Sequence, residues 1–232
     1  MSLSAVLIIF EFVALIFAFS IHEAAHAWMA SRCGDQTARM LGRITLNPIR
    51  HIDPLGSILL PLVSAFMHLP LLGWAKPTPV VTRNLRHYKR DDILVTLAGP
   101  AVNLLLAVVC LLLLVIVKHV VPGGASAVGQ SLMLTVFGGG GEDRPGGTLF
   151  PLTLLLFCGM LMNLTLAIFN VLPIPPLDGS RILRHFLPYG WTDTYDRLGG
   201  YGLLLLFLVG GRFMSFLFTP VLSTFVGLLI RL

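Results

Sequence analysis

The sequence predicts an all-α polytopic membrane protein, a bundle of about four to six transmembrane helices with a re-entrant or broken element after the first helix. Of the 232 residues, 56% are hydrophobic and only 12% are charged, with a mean hydropathy of +0.86. So few charges cannot cover the surface of a soluble domain. The apolar residues also gather into runs as long as membrane spans. These runs cover residues 3–21, 55–74, 93–117, 149–172 and 201–232.

The net charge of +5 is distributed as in a membrane protein rather than as on a nucleic-acid-binding surface. Lysine and arginine cluster in the polar stretches after the first, second and fourth apolar runs. Residues 118–148, by contrast, contain only Lys118 and Arg144. Cytoplasmic loops carry such an excess of basic residues. We therefore expect the three basic stretches inside, residues 118–148 outside, and no nucleic-acid partner.

The second run, residues 55–74, is basic on both flanks, so a simple crossing would leave one basic loop outside. Residues that resist one straight helix lie in it or beside it: Pro54, Gly56, Pro61, Pro70 and Gly73. We expect a re-entrant or broken element that enters and leaves on the cytoplasmic side, packed in protein or lining a wet cavity. The alternative is an ordinary helix pair with one loop that violates the charge rule.

The remaining runs complete the predicted bundle. Residues 93–117 cross outward and residues 149–172 return, joined by an external loop whose glycine stretch at 138–141 predicts flexibility. The last run, residues 201–232, is long enough for one long span or a short helical hairpin. Because the sequence shows no internal repeat and no linker, we expect a single domain over residues 1–232.

The first run leads into His22-Glu23-Ala24-Ala25-His26, which matches the pattern H-E-x-x-H. Histidines four residues apart share one face of a helix, so both imidazoles can reach one metal ion. Imidazole nitrogen suits zinc, which accepts four ligands with one position left for water, and Glu23 is placed to take a proton from that water. Polar residues at the end of an apolar helix are costly in lipid. They therefore indicate a metal site rather than side chains that only extend to the interface.

A third protein ligand must lie at a similar depth. The candidates in or beside the apolar runs are Glu11, His51, Asp53, His68 and Asp178. Asp178 stands out because the prolines at 173, 175 and 176 stop the preceding helix and leave irregular backbone that must face protein or water. The topology also places it, like His26, near the cytoplasmic face. Its alternative role is a helix N-cap, and for His51 and Asp53 we expect loop capping.

At this point the sequence resembles the site-2 protease family of intramembrane zinc metalloproteases. The resemblance covers nearly the whole chain and rests on three strings: the His-Glu motif, Ala98-Gly99-Pro100-Ala101-Val102-Asn103, and Asn170-Val171-Leu172-Pro173-Ile174-Pro175-Pro176-Leu177-Asp178-Gly179. It implies that His22, His26 and Asp178 bind one zinc ion and that Glu23 is the catalytic base. It also implies substrates that are transmembrane segments of other proteins, cut within or at the edge of the bilayer. Within the family the chain resembles the minimal members, without a PDZ or CBS domain.

Two amides at membrane depth, Asn103 and Asn170, are candidates for substrate binding. The resemblance suggests that Asn170 helps to hold the substrate strand, and an amide offers both a donor and an acceptor to an unwound peptide. The alternative for both is contact between helices. The broken segment at 55–74 is in addition expected to supply an edge to which an extended substrate strand pairs.

Two other functional classes remain as alternatives. A different membrane metalloprotease would use a glutamate as third ligand, but only Glu142 follows the motif, and the topology puts it outside. A zinc-binding or transport protein would need polar residues along several spans, which the sequence lacks. We expect an integral protein of a bacterial or archaeal cell membrane, in contact with the lipid bilayer and a transmembrane substrate, with its active site near the cytoplasmic face.

Overall fold

The computed structural model describes residues 3–67, 73–137 and 147–232, with side chains described except at 4, 198 and 200–215. This described part is predominantly helical and contains no strand, which confirms the all-α prediction. Its α-helices are α1 (Leu3–Cys33), α2 (Thr37–Met40), α3 (Leu60–Phe66), α4 (Tyr88–Val120), α5 (Gly124–Phe137), α6 (Phe150–Val171), α7 (Asp178–Arg184) and α8 (Tyr189–Arg231). Short 3₁₀ turns occur at Pro48–Arg50 and Thr82–Asn84, and a π-helical turn at Pro54–Leu59 precedes α3.

Three helices in the described part are long and apolar enough to cross a membrane: Ala5–Cys33 of α1, α4, and α6. They pack against one another and form the centre of the bundle. Small side chains allow helices to approach closely. In α1, Ala18, Ala27 and Ala30 are almost completely buried. Toward the other end of the bundle, larger side chains such as Leu114 and Phe157 fill the space between α4 and α6.

The last apolar run forms part of one continuous helix, α8, and not a helical hairpin. Near its start, the Tyr195 hydroxyl donates a hydrogen bond to the Pro173 carbonyl at 2.8 Å, just beyond α6. Near its end, the Lys118 ammonium donates to the carbonyls of Leu229 and Ile230, both at 2.9 Å. Since Lys118 lies at the far end of α4, α8 extends from the α7 end of the bundle to the opposite end.

The segment after the first helix doubles back, as the re-entrant interpretation predicts. The backbone N–H of Trp74 donates to the Gly56 carbonyl at 3.1 Å, and the backbone N–H of Lys76 donates to the His51 carbonyl at 2.8 Å. The chain therefore returns to the place where the segment began. The helical part between these points, Pro54–Phe66, is shorter than a membrane span. Residues 68–72, which include His68 and Pro70, lie outside the described residues.

Asp53 starts this segment as a cap, which confirms the loop-capping prediction for that residue. Its Oδ1 accepts from the N–H groups of Leu55 at 3.0 Å and Gly56 at 2.8 Å. The prediction that the segment supplies a strand edge is wrong over the described residues 54–66, because they are helical and satisfy their own backbone groups. Pro54 and Pro61 do not prevent this, since each stands at the start of a helical turn, where no N–H is required.

The stretch between α4 and α6 differs from the expected external loop, because residues 124–137 form α5. The loop was expected because these residues lie between two apolar runs, but α5 packs on the neighbouring helices. The Ser131 and Thr153 hydroxyls share a hydrogen bond of 2.8 Å, and Val128 and Leu134 are buried. Tertiary packing thus outweighs the weak helix propensity of these residues. The glycine stretch at 138–141 lies outside the described residues.

Candidate metal centre

Two imidazoles of α1 lie at the centre of the site. His22 and His26 are one helical turn apart and buried, and their Nε2 atoms lie 3.0 Å from each other. The Nδ1 atom of His26 lies 2.7 Å from the Val95 carbonyl of α4. Since a carbonyl can only accept, Nδ1 carries the proton and donates it there. The Nε2 lone pair of His26 is thereby left facing His22, ready to bind a metal.

The third group comes from the end of α6 and the start of α7. The prolines after Leu172 end α6, and Leu172 and Leu177 pack together with Phe169 beneath the turn. Gly179 then lies so close to the carbonyls of Val171 and Leu172 that a side chain there would collide with them. This close approach places Asp178, the first residue of α7, at the two histidines.

The Asp178 carboxylate meets both imidazoles. Its Oδ2 lies 3.1 Å from His22 Nε2 and 3.2 Å from His26 Nε2. A carboxylate oxygen at these distances completes a group of three atoms that could hold one metal ion.

These three atoms have the spacing that zinc requires. A tetrahedral zinc ion with bonds of about 2.0–2.1 Å holds neighbouring ligand atoms about 3.3 Å apart. The observed separations are 3.0, 3.1 and 3.2 Å. Two buried atoms, Oδ2 of Asp178 and Nδ1 of His22, have no hydrogen-bond partner among the described residues. Two histidine nitrogens and one carboxylate oxygen form a donor set that zinc commonly takes. The residues present therefore fit a zinc ion.

Glu23 is held by a segment that sequence reasoning did not connect with it. Its Oε2 accepts a hydrogen bond from the Thr78 N–H at 2.7 Å, and the Thr78 hydroxyl donates to the Glu23 carbonyl at 3.0 Å. Thr78 lies in the extended chain that returns from the re-entrant segment. The other Glu23 carboxylate oxygen has no hydrogen bond within the described residues, so it is free to take a proton.

The return segment is fixed in turn by Asp35, which follows α1. Its buried carboxylate accepts hydrogen bonds from the N–H groups of Thr37 at 3.1 Å and Val81 at 2.7 Å and from Asn84 Nδ2 at 3.1 Å. Burial favours a raised pKa for Asp35, but these donors outweigh it and lower the pKa. The ionised carboxylate thereby joins the end of α1 to the chain that carries Thr78.

Gly99 of α4 leaves the space that the imidazoles of His22 and His26 occupy. A Cβ atom at Gly99 would lie 2.5 Å from His26 Nε2 and 2.6 Å from His22 Cε1. Any side chain there would displace both imidazoles. The sequence showed the Ala-Gly-Pro string, but it did not show that this glycine faces the metal site.

Asp92, at the start of α4, anchors the helix that carries Asp178. Its Oδ1 accepts from Arg181 Nη2 at 2.7 Å, and its Oδ2 accepts from His185 Nε2, also at 2.7 Å. The Asp92 side chain is buried. Arg181 and His185 follow Asp178 by three and seven residues, so they project from neighbouring turns of the same short segment. The spacing indicates that the two side chains can share a partner, but the sequence does not show that this partner is Asp92.

The remaining predicted residues make no hydrogen bond to the three clustered atoms among the described residues. Asn103, one turn beyond Gly99, is fully buried, and its amide has no partner among the described residues. Asn170 donates to the Leu166 carbonyl of its own helix at 3.0 Å, which leaves its oxygen available. His51 donates through Nε2 to the Thr45 carbonyl at 2.9 Å, inside the loop that follows α1. The group found among described residues with metal-binding spacing is His22, His26 and Asp178, without Glu11, His51 or Asp53.

The chain matches known proteins over most of its length. The model of "Peptidase family M50" matches residues 10–192. The chain is 38% identical over 197 residues to "Putative zinc metalloprotease YwhC" of Bacillus subtilis, an alignment that covers 85% of this chain and 77% of the relative. It is 30% identical over 168 residues to Rip2 of Mycolicibacterium smegmatis, named in the same way, covering 72% of this chain and 53% of that protein. This chain thus spans about half the length of Rip2. No solved structure matches the chain.

The apolar helices, the donor set and these matches define a class, the integral membrane zinc metallopeptidases. Within that class, the chain belongs to peptidase family M50, the site-2 protease family. Its cofactor is Zn²⁺ and its activity is that of a hydrolase.

Proposed function

We propose that this protein cuts a peptide bond within or at the edge of a transmembrane segment of another membrane protein. The observation that carries the proposal is the position of the donor set. His22 and His26 belong to a helix long and apolar enough to span a membrane, and Asp178 reaches them from a turn directly after a second such helix. A zinc site built this way is close to peptide bonds that lie in the bilayer.

We assign His22, His26 and Asp178 as the zinc ligands and Glu23 as the catalytic base. When bound, zinc supplies a Lewis acid for a peptide carbonyl and lowers the pKa of water. Glu23 takes a proton from the attacking water through the carboxylate oxygen that no described residue binds, and then delivers it to the leaving amine. Thr78 holds the other oxygen at 2.7 Å and so keeps the carboxylate in one orientation during both transfers.

The substrate segment must unwind before it is cut, because a helical peptide bond is shielded by its own hydrogen bonds. Asn170 is our candidate for holding the unwound strand, since its amide oxygen is available beyond the hydrogen bond to Leu166. Asn103 is fully buried and would reach substrate only after the neighbouring helices separate. We further propose that residues 1–232 act as one domain in a bacterial or archaeal cell membrane, with the site near the cytoplasmic face.

The test uses Glu23→Gln, which removes the base and keeps the size of the side chain. We expect zinc to remain bound at one ion per chain, because the three ligands are untouched. Cleavage of a transmembrane model substrate in detergent or nanodiscs should fall by at least about 100-fold, the lower end of what a general base contributes. The matched control is Glu11→Gln on the same helix, outside the metal cluster, which should leave cleavage within about two-fold of the parent.

Retained cleavage in Glu23→Gln would remove Glu23 from the mechanism. Loss of zinc in the same variant would show that Glu23 supports metal binding instead. If the parent protein cuts an unstructured soluble peptide and leaves the transmembrane substrate intact, the assignment to intramembrane substrates is wrong, whereas the zinc site stands.

A further inference from the structure

A groove runs along the face of α1 that points away from the histidines. It consists of two adjoining cavities that share Trp28 and Ile44. One has a volume of about 590 Å³ and the other of about 390 Å³. Helical geometry places Trp28 more than 100° around α1 from His22 and His26, so the larger cavity faces away from the two imidazoles. The smaller cavity borders the motif through the backs of Ala24 and Ala25.

The larger cavity is lined mainly by polar and basic residues at the end of the α1 span. Arg32 of α1 and Arg39 of α2 both line it, and the guanidinium of neither makes an ion pair or hydrogen bond among the described residues. The Arg32 guanidinium carbon lies 5.3 Å from the centre of the Trp28 ring. Gln36 and Ser31 bind each other through two hydrogen bonds of 2.9 Å. Two guanidinium groups therefore face this cavity without a counter-charge.

The smaller cavity is apolar and runs from Trp28 along α1 into the span. Ala24 and Ala25 form its floor, and their small side chains leave the space open. Val102 of α4 and Leu46, which is 62% exposed, form its sides. No acidic residue lines either cavity in the described part of the chain. The groove thus has a cationic end near the end of the span and an apolar end within it.

We infer that this groove binds one anionic phospholipid. Arg32 and Arg39 bind the phosphate, because guanidinium groups match the geometry of phosphate oxygens. Trp28 lies at the glycerol level, where tryptophan is enriched in membrane proteins. One acyl chain lies along Ala24, Ala25 and Val102. The order of charge, aromatic ring and apolar channel is the order of the parts of a phospholipid, and the two unpaired arginines select an anionic one.

The test measures lipid binding to the purified full-length protein in detergent, by native mass spectrometry and by the thermal unfolding midpoint. The probes are dioleoyl-phosphatidylglycerol, dioleoyl-phosphatidylcholine, and glycerol phosphate without acyl chains. We expect phosphatidylglycerol to bind and raise the midpoint, and the other two to do neither. In R32Q/R39Q the affinity for phosphatidylglycerol should fall by about 30-fold, since each basic residue near anionic lipid contributes a factor of about five.

The matched control is R83Q/R90Q, which removes the same charge from two exposed arginines that line neither cavity. It should bind phosphatidylglycerol as the parent does. Equal loss in both double variants would reduce the effect to net charge and overturn the site. Equal binding of phosphatidylcholine would overturn the role of the arginines, and equal binding of glycerol phosphate would overturn the role of the acyl channel. Displacement of the lipid by a transmembrane substrate peptide would reassign the groove to substrate.

Discussion

At the scale of single residues, the metal site depends on the lack of a Cβ atom at position 99. Gly99 faces His22 and His26, where a Cβ would come within 2.5 Å of His26 Nε2. The imidazole rings could move away from such a Cβ only by losing their contacts with Asp178. His26 is in addition held by the Val95 carbonyl at 2.7 Å. The arrangement of His22 and His26 therefore requires a glycine at position 99.

We expect Gly99→Ala to lose zinc although alanine favours a helix by about 0.5–1 kcal/mol relative to glycine. Zinc content after purification, measured by elemental analysis, should drop to a small fraction of one ion per chain, and circular dichroism should show the parent helix content. The control is Gly129→Ala in α5, where a Cβ would meet nothing within 4 Å. That variant should keep its zinc. Full zinc content in Gly99→Ala would show that the histidines can shift without losing the metal.

Among single residues, those with local signals were predictable. His22, Glu23 and His26 lie within five positions of one another, and Asp178 is marked by the prolines before it. Thr78 and Asp92 were not predictable, because they act across 55 and 89–93 positions of sequence. A threonine between two prolines and an aspartate at a helix start are common features. Only their partners give them a role in the site.

At the scale of elements, the short helix α7 presents Asp178 but cannot position it alone. A helix of this length is marginal by itself in water. The buried Asp92 carboxylate holds α7 through Arg181 and His185. Arg184 of α7 also forms a pair, with Asp196 at 3.0 Å, but both side chains are about half exposed. The two pairs let the buried anchor be compared with an exposed one on the same helix.

We predict that Asp92→Asn lowers zinc affinity by about 10-fold, the lower end of what losing a supporting contact behind a metal site costs, because Asp92 holds the helix that carries Asp178. The amide removes the charge that Arg181 and His185 share and satisfies only one of them, so α7 can shift. Asp196→Asn should change the affinity by less than about two-fold, because an exposed pair contributes little. Competition with a chromogenic chelator gives both values. Equal affinities in the two variants would contradict a positioning role for Asp92.

The elements also show where sequence patterns gave an incomplete prediction. The prolines and glycines of 54–74 correctly indicated a broken segment, but they did not reveal that Gly56 lies against the Trp74 indole, where a side chain would collide. Residues 124–137 were expected to belong to an external loop between two apolar runs, but they form a helix in which Val128 and Leu134 are buried. Propensity decides such short segments only when no neighbour packs on them.

At the scale of the whole molecule, the arrangement of helices sets which segments share a side of the membrane. Both ends of the re-entrant segment meet near Asp53, next to the extended chain that binds Glu23. α4 and α6 connect this end of the bundle to the end that carries α5. We therefore expect the loop after α1 and the return segment on one side, and the loop after α4 on the other.

Cysteine labelling of intact cells or oriented vesicles tests this topology. In a background without Cys33, Cys110 and Cys158, single cysteines are introduced at Asn47, Lys76 and Pro122, all of which are exposed. A membrane-impermeant maleimide should reach positions 47 and 76 from the same side and position 122 from the opposite side. If positions 47 and 122 label from one side and position 76 from the other, residues 54–76 cross the membrane and the re-entrant arrangement is wrong.

The sequence by itself determined the class of the molecule and the chemistry of its site. Both depend on short-range patterns: an apolar run is as long as a bilayer is thick, and two histidines four residues apart share a helix face in any context. The tertiary structure alone decided how the site is built, through Gly99 beside the imidazoles, Thr78 on Glu23, and Asp92 behind α7. These depend on which helices pack together, because the environment of a side chain in a bundle comes from residues distant in sequence.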